Sequence, residues 1–405
     1  MPEGKTDHRL WWQRAAARGF APPPHPTTPF ILVTGGESTG DVHGRMPGPG
    51  APGDPAPHLD GPVVSTPAGG LGVLLPTYVG RCDAQTHQQV LHHLLDALGE
   101  VREGHPDLPI TLWVGMQYGP GENEEALRRL RRLVALAPAE RDFVTIGMAL
   151  PGPGKLRTVS TVLGLSANAG HVGWIWTDDD IRFGPGCLVR LVSRFRERGY
   201  RGTVGAHSVA LPAGTPASRT MERVAEVTAP PRACPAAACL IVAPDVLGTG
   251  IPARRLTDDG YVVFELIAPG AADPLHDLEV LPGARISFYR VGRTHDTFQR
   301  LRRSLHSHVT CVADYPWPTS RIYLRQILFH GLWPLASWDN SRGPVHGARR
   351  WMVKSLHFAW FCRVTVTLMA RGAVGRPLRH VAWGDEGGFR SPGTREPVGG
   401  GSPDR

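Results

Sequence analysis

Between Gly72 and Asp180, four apolar runs of strand length alternate with three segments whose apolar residues recur at helical spacing. The strand candidates are Val73-Leu74-Leu75, Ile110 to Val114, Phe143 to Met148 and Val172 to Thr177. The helical candidates are Gln85 to Leu98, Glu122 to Leu136 and Leu156 to Asn168. Glu122 to Leu136, for example, sets Leu127, Leu130, Leu133 and Val134 on one face and arginines on the other. Strand–helix–strand alternation feeds each strand back into one sheet with a helix crossing its face. The expected fold is α/β: a three-layer α/β/α sandwich around a mainly parallel sheet, with a helical C-terminal extension. Such sheets bind ligands beyond the carboxyl ends of their strands.

The fourth strand runs straight into three acids, Trp174-Ile175-Trp176-Thr177-Asp178-Asp179-Asp180. Three adjacent carboxylates repel unless something positive lies among them. In extended backbone Asp178 and Asp180 point one way and Asp179 the other. Two carboxylates on one side suit a hard cation with oxygen ligands, Mn²⁺ or Mg²⁺, which would also bridge phosphates. Alone, such a triplet reads as a solvated turn; its place after a buried strand favours the metal reading.

Three further stretches carry chemistry. Thr257-Asp258-Asp259 precedes an apolar helix-like run, Val262 to Ile267. Either residue type could cap that helix, and a carboxylate at a helix start is expected to keep a low pKa, as a base ionised at neutral pH requires. Gln299-Arg300-Leu301-Arg302-Arg303, with His295 nearby, offers guanidinium groups to diphosphate oxygens, or a basic helix face to water or lipid. Gly152-Pro153-Gly154-Lys155 lacks the Walker pattern but could bring backbone N–H groups and one ammonium to a nucleotide.

Composition bounds the rest. A formal net charge of +8 suits phosphate-rich ligands, nucleic acid or an anionic membrane. No basic run is interleaved with aromatics, which argues against nucleic acid. The six cysteines lack paired metal-ligand spacing, as expected of a reduced, cytoplasmic protein. No signal-peptide pattern is visible, and the apolar stretch Gln326 to Trp338 is shorter than the ~18–20 residues of a membrane span. Glycine and proline crowd both ends. Residues 1–70 therefore read as a disordered or loosely docked arm, although Phe30 to Val33 has strand character, and 386–405 as a disordered tail. The catalytic domain is expected over 71–320 and the helical extension over 321–385. The aromatic-rich, basic stretches within 321–370 would cover the core or rest peripherally on the inner face of a membrane.

Taken in order, these motifs resemble the family 2 glycosyltransferases of the GT-A fold, including the branch related to cellulose and hyaluronan synthases, over residues 72–310. The resemblance implies that Pro76, Thr77 and Tyr78 lie beside the nucleotide base, and that Gly154-Lys155 opens the helix before the metal strand. It implies that Asp178-Asp179-Asp180 is the Asp-X-Asp motif at the donor, with Asp180 on the metal and Asp178 on the metal or ribose. Thr257-Asp258-Asp259 resembles Thr-Glu-Asp, with Asp258 for Glu, which makes Asp259 the catalytic base beside Asp258. Gln299 to Arg303 matches Gln-X-X-Arg-Trp, with Gln299, Arg302 and Arg303 on the donor diphosphate. His295 is a candidate third metal ligand.

Two departures accompany the match. Gly115-Met116-Gln117 stands where the family carries paired acids, and Arg303 stands where it carries Trp. The second departure, with no membrane-spanning helix, favours single addition over processive synthesis. The implied function is metal-dependent, inverting transfer of a sugar from a nucleotide-diphosphate donor to an acceptor hydroxyl. Its rivals are a sugar nucleotidyltransferase and a non-catalytic binding protein of the same fold.

Overall fold

The computed structural model describes residues 7–21, 28–34, 42–46, 67–81, 83–136, 143–152, 155–165, 170–211, 234–236, 238–248, 251, 257–289, 294–330 and 343–379. The strands are β1 (Phe20–Ala21), β2 (Thr28–Thr34), β3 (Val42–Met46), β4 (Leu71–Tyr78), β5 (Ile110–Tyr118), β6 (Phe143–Pro151), β7 (Gly173–Thr177), β8 (Arg182–Phe183), β9 (Thr203–Leu211), β10 (Cys239–Val242), β11 (Leu278–Tyr289) and β12 (Leu378–Arg379). The helices are α1 (Trp11–Arg18), α2 (Ala84–Gly104), α3 (Asn123–Leu136), α4 (Lys155–Leu165), α5 (Cys187–Glu197), α6 (Pro244–Leu247), α7 (Asp258–Leu266), α8 (Thr294–Asp314), α9 (Trp317–Ile322) and α10 (Pro344–Ala373).

Among the described residues, ten strands form one sheet in the order β3-β2-β6-β5-β4-β7-β10-β9-β11-β8. Its centre, β6-β5-β4-β7, is parallel throughout. These strands are apolar on both sides because helices cover both faces. Leu71, Val73 and Leu75 of β4 pack with α2, α3 and α5, whereas Leu74 packs on the opposite side with α4, α6 and α7. The period-2 alternation of a strand thus feeds two separate cores. A third core joins the far side of α7 to α1, α8, α9 and α10, forming the helical C-terminal layer. Among the described residues, no helix is long and apolar enough to cross a membrane.

Two features lie beyond local periodicity. Beyond the centre the sheet is mixed: β10 pairs antiparallel with both β7 and β9, and β2 with β6, whereas β9 and β11 run parallel. The N-terminal stretch read from composition as an arm also enters the body where it is described. Phe30 and Leu32 of β2 are buried in the core shared with α4. Helix α1 packs on α10 so closely that a Cβ on Gly19 would lie 1.7 Å from the Leu368 carbonyl oxygen. Averaging over glycine- and proline-rich flanks hid these short apolar segments. The tail 386–405 lies outside the described residues.

Strand β5 continues past Val114 to Tyr118, and there it fixes α4. A Cβ on Gly115 would meet Thr158 Cγ2 at 2.1 Å, so only glycine lets α4 lie this close. Two residues on, the buried Gln117 side-chain amide donates to Thr158 Oγ1. The stretch that replaces the expected acids is therefore a seat for the helix that begins with Lys155.

Candidate active site

The parallel strands β4 to β7 end at one edge, at Tyr78, Tyr118, Pro151 and Thr177. Asp178 N–H still donates to the Ala238 carbonyl at 2.9 Å, which extends the β7–β10 ladder by one residue before the chain turns at Asp179-Asp180. Asp179 is buried, while Asp178 and Asp180 stay partly exposed. The order of burial is the one an extended triplet would give, although the chain turns at Asp179-Asp180.

Asp179 turns inward because β4, the neighbouring strand, supplies a partner. Thr77 Oγ1 donates to Asp179 Oδ2 at 2.8 Å and lies 2.7 Å from His87 Nε2. The hydroxyl proton is spent on the carboxylate, so His87 Nε2–H must donate to Thr77. His87 Nδ1 then accepts from the Arg129 guanidinium at 3.3 Å. Thr77 and His87 are buried, so this chain ties the acidic turn to α2 and α3. Thr77→Val removes both bonds without changing the shape of the side chain. Leaving Asp179 and His87 each short of a buried partner is expected to cost about 1–3 kcal/mol, read as a lower denaturant midpoint.

Lys155 gathers the other acids. Its Nζ lies 2.7 Å from Asp178 Oδ1 and 2.9 Å from Asp258 Oδ2. Burial alone would lower the ammonium's pKa, but the charges and hydrogen bonds of the two aspartates outweigh it and hold it above the usual lysine range. One cation at the start of α4 thereby clamps the acidic turn after β7 to the first turn of α7. The Lys155 and Asp178 side chains are each 24% exposed, so this ion pair is within reach of a bound ligand.

Asp259 corrects the sequence expectation. A carboxylate at the start of a helix was expected to have a low pKa; instead its value is pushed from 3.8 up to about 6. Burial is the main cause and the adjacent Asp258 charge the next, with Asp178 adding. The Gly260 N–H, donating to Oδ1 at 2.7 Å, and the Lys155 charge pull it down but do not cancel these. Cys234 and Tyr323 feel the Asp259 charge. Burial, followed by that charge, pushes the Cys234 thiol up to about 12. The Tyr323 hydroxyl is hydrogen-bonded to His308 Nδ1 at 2.6 Å; burial, with the nearby His357, pulls the imidazole down to about 4, which keeps it neutral. The sequence offered no signal for His87, Cys234 or Tyr323, since none sits in a motif.

The remaining candidates fall in several places. Pro76 is buried in β4, and half-buried Tyr78 stands at the strand's end beside Gly119 and Glu122. Gly154 lies outside the described residues, as do the side chains of His295 and Gln299. Arg303 is half-buried on α8. Arg302 is exposed and lines a groove of about 330 Å³ with His306, Trp360 and Arg363, between α8 and α10. The structure thus brings Lys155, Asp178 and Asp258 together, with Asp259 adjoining, and places Arg302 on the side of the C-terminal layer.

Asp178 and Asp180, left partly exposed where Asp179 is turned in, are a donor pair suited to a hard dication. Among the described residues, no three His, Cys, Asp or Glu side chains form a metal-holding group.

No family model matches the chain, and no curated protein matches it in sequence. Among solved structures it is similar to the mannosyltransferase PcManGT from Pyrobaculum calidifontis, in complex with GDP-Man and Mn²⁺. The identity is 16% and the TM-score 0.42, over 78% of this chain and 90% of that one. It is also similar to S. aureus TarS, at 11% identity and a TM-score of 0.36, covering 76% of this chain and 54% of that one. For TarS 1-349 the identity is 11% and the TM-score 0.34, over 76% of this chain and 89% of that one. Likeness at this level says nothing about the chemistry of the site.

Proposed function

We propose that the chain is a glycosyltransferase that moves one sugar from a nucleotide-diphosphate donor to an acceptor hydroxyl, with inversion at the anomeric carbon. The observation that carries this reading is the cluster at the carboxyl edge of the sheet. Asp178, Lys155 and Asp258 are joined by ion pairs, and next to them Asp259 is a carboxylate with a pKa of about 6.

A base with a pKa near neutrality is mostly ionised at pH 7 and still takes a proton readily. In the proposed step Asp259 accepts the acceptor hydroxyl's proton as the acceptor oxygen bonds to the sugar's anomeric carbon. The bond from that carbon to the donor phosphate breaks, and its electron pair leaves with the nucleoside diphosphate. Lys155 holds Asp258 beside the base and Asp178 at the donor side. Asp178 and Asp180 would hold Mn²⁺ or Mg²⁺, whose charge offsets that of the departing diphosphate. Thr77 and His87 keep Asp179 turned in, and so keep the other two aspartates out.

The direct check is a panel of nucleotide sugars assayed for nucleoside diphosphate release. At least one donor is expected to be turned over, with activity lost on chelation and restored by Mn²⁺ or Mg²⁺. No release from any donor would overturn the reading, and pyrophosphate-dependent exchange would assign the site to a nucleotidyltransferase instead.

A further inference from the structure

Helix α10 is apolar on two opposite sides, and the described residues cover only one of them. Phe361, Val364 and Leu368 are buried against α1, α8 and the π-helical turn Tyr323–Leu328. On the other side Val345, Met352, Leu356 and Val366 are 67%, 53%, 64% and 62% exposed. Their spacing, with Arg349 and Arg363 at intervening positions, keeps them on one stripe along a helix about 45 Å long. Large exposed apolar side chains are concentrated here to an unusual degree. Among the described residues, every one except Val209 lies on α10, on α1 packed against it, or next to an end of one of these helices. Neither helix carries an acid, whereas arginines recur along both.

We infer that the outward face of α10 is a docking surface for an anionic lipid bilayer. An amphipathic helix of this kind lies in the membrane interface, its apolar side chains below the headgroups and its arginines among the lipid phosphates. Arg363 belongs both to this face and to the Arg302–His306–Trp360 groove, so the groove opens beside the lipid-facing stripe. A second copy of the chain is the poorer occupant, because pairing would press one basic, acid-free face against another. The surface is independent of the donor chemistry.

Co-sedimentation of the full chain with vesicles tests this. Binding is expected to vesicles of phosphatidylcholine mixed with phosphatidylglycerol, not to phosphatidylcholine alone, and to weaken as added salt screens the arginines. Met352→Glu with Leu356→Glu, both at exposed positions, should lower binding about tenfold or more at unchanged melting temperature. Arg349→Gln with Arg363→Gln should abolish the preference for anionic lipid. Equal binding to both vesicle types, binding to neither, or unchanged binding by the glutamate variant would overturn the inference. So would a concentration-dependent dimer that the glutamate variant dissolves, since the face would then belong to a second copy. Nucleoside diphosphate release, measured without vesicles on the same samples, reports the catalytic reading separately.

Discussion

Asp259→Asn is expected to lower turnover by about 10²–10⁴-fold while leaving donor affinity nearly unchanged, because it removes the proton acceptor and little of the donor site. The parent enzyme should show an acidic limb in its pH–rate profile near pH 6, rising with pH as Asp259 ionises. The variant should lack that limb. The same substitution should stabilise the fold. Asp259 binds its proton more tightly folded than unfolded, so its contribution to stability is full below about pH 3.8 and is lost as pH rises through about 6. Above pH 6 the folded chain bears the cost of a buried, crowded charge, on the order of 1–3 kcal/mol. The Asn variant should therefore melt a few degrees above the parent at pH 8, with a smaller gap at pH 5. Normal turnover with no stabilisation would remove Asp259 from the role of base.

Lys155→Met is the second large effect, and it acts in the opposite direction on stability. It leaves Asp178 and Asp258 with no ammonium between them. Removing one member of a buried charge cluster costs ~3–5 kcal/mol, and partial exposure should reduce this to roughly 2–4 kcal/mol. A lower denaturant midpoint would show it, and adding Asp258→Asn should recover part of the loss by removing one of the stranded charges. Lys155 also lowers the Asp259 pKa, so the acidic limb of the rate profile should move upward from about pH 6 in the Lys155→Met variant. A limb that stayed in place would mean that the ammonium does not act on the base.

Much of this arrangement was legible in the chain. The apolar runs and helical repeats from Gly72 onward name the central strands and the helices between them, and strand β7 delivers its acids to the carboxyl edge as the alternation requires. Burial at the triplet follows the period of a strand, with Asp179 in and its neighbours out. What stayed hidden was hidden for local reasons. Gly115-Met116-Gln117 looked like a gap in a motif, and it is the seat of α4. The strand character of Phe30 to Val33 was visible but outweighed by its glycine- and proline-rich flanks. Helix α10 read either as a cover for the core or as a membrane-surface element, and only the structure tells its buried side, Phe361, Val364 and Leu368, from its exposed one.

Sequence periodicity by itself determined the central strands and the helices between them, and that acids end β7 and begin α7, because backbone geometry and side-chain alternation act within a few residues. Tertiary structure alone decided that Lys155 clamps Asp178 to Asp258, that Thr77 and His87 hold Asp179, and that β2 and β10 join the central strands antiparallel. It also decided that Asp259 is raised to about 6 rather than lowered by its helix. Those outcomes depend on strand order, on how closely α4 approaches β5, and on how far each carboxylate is withdrawn from water. None of these is a property of neighbouring residues along the chain.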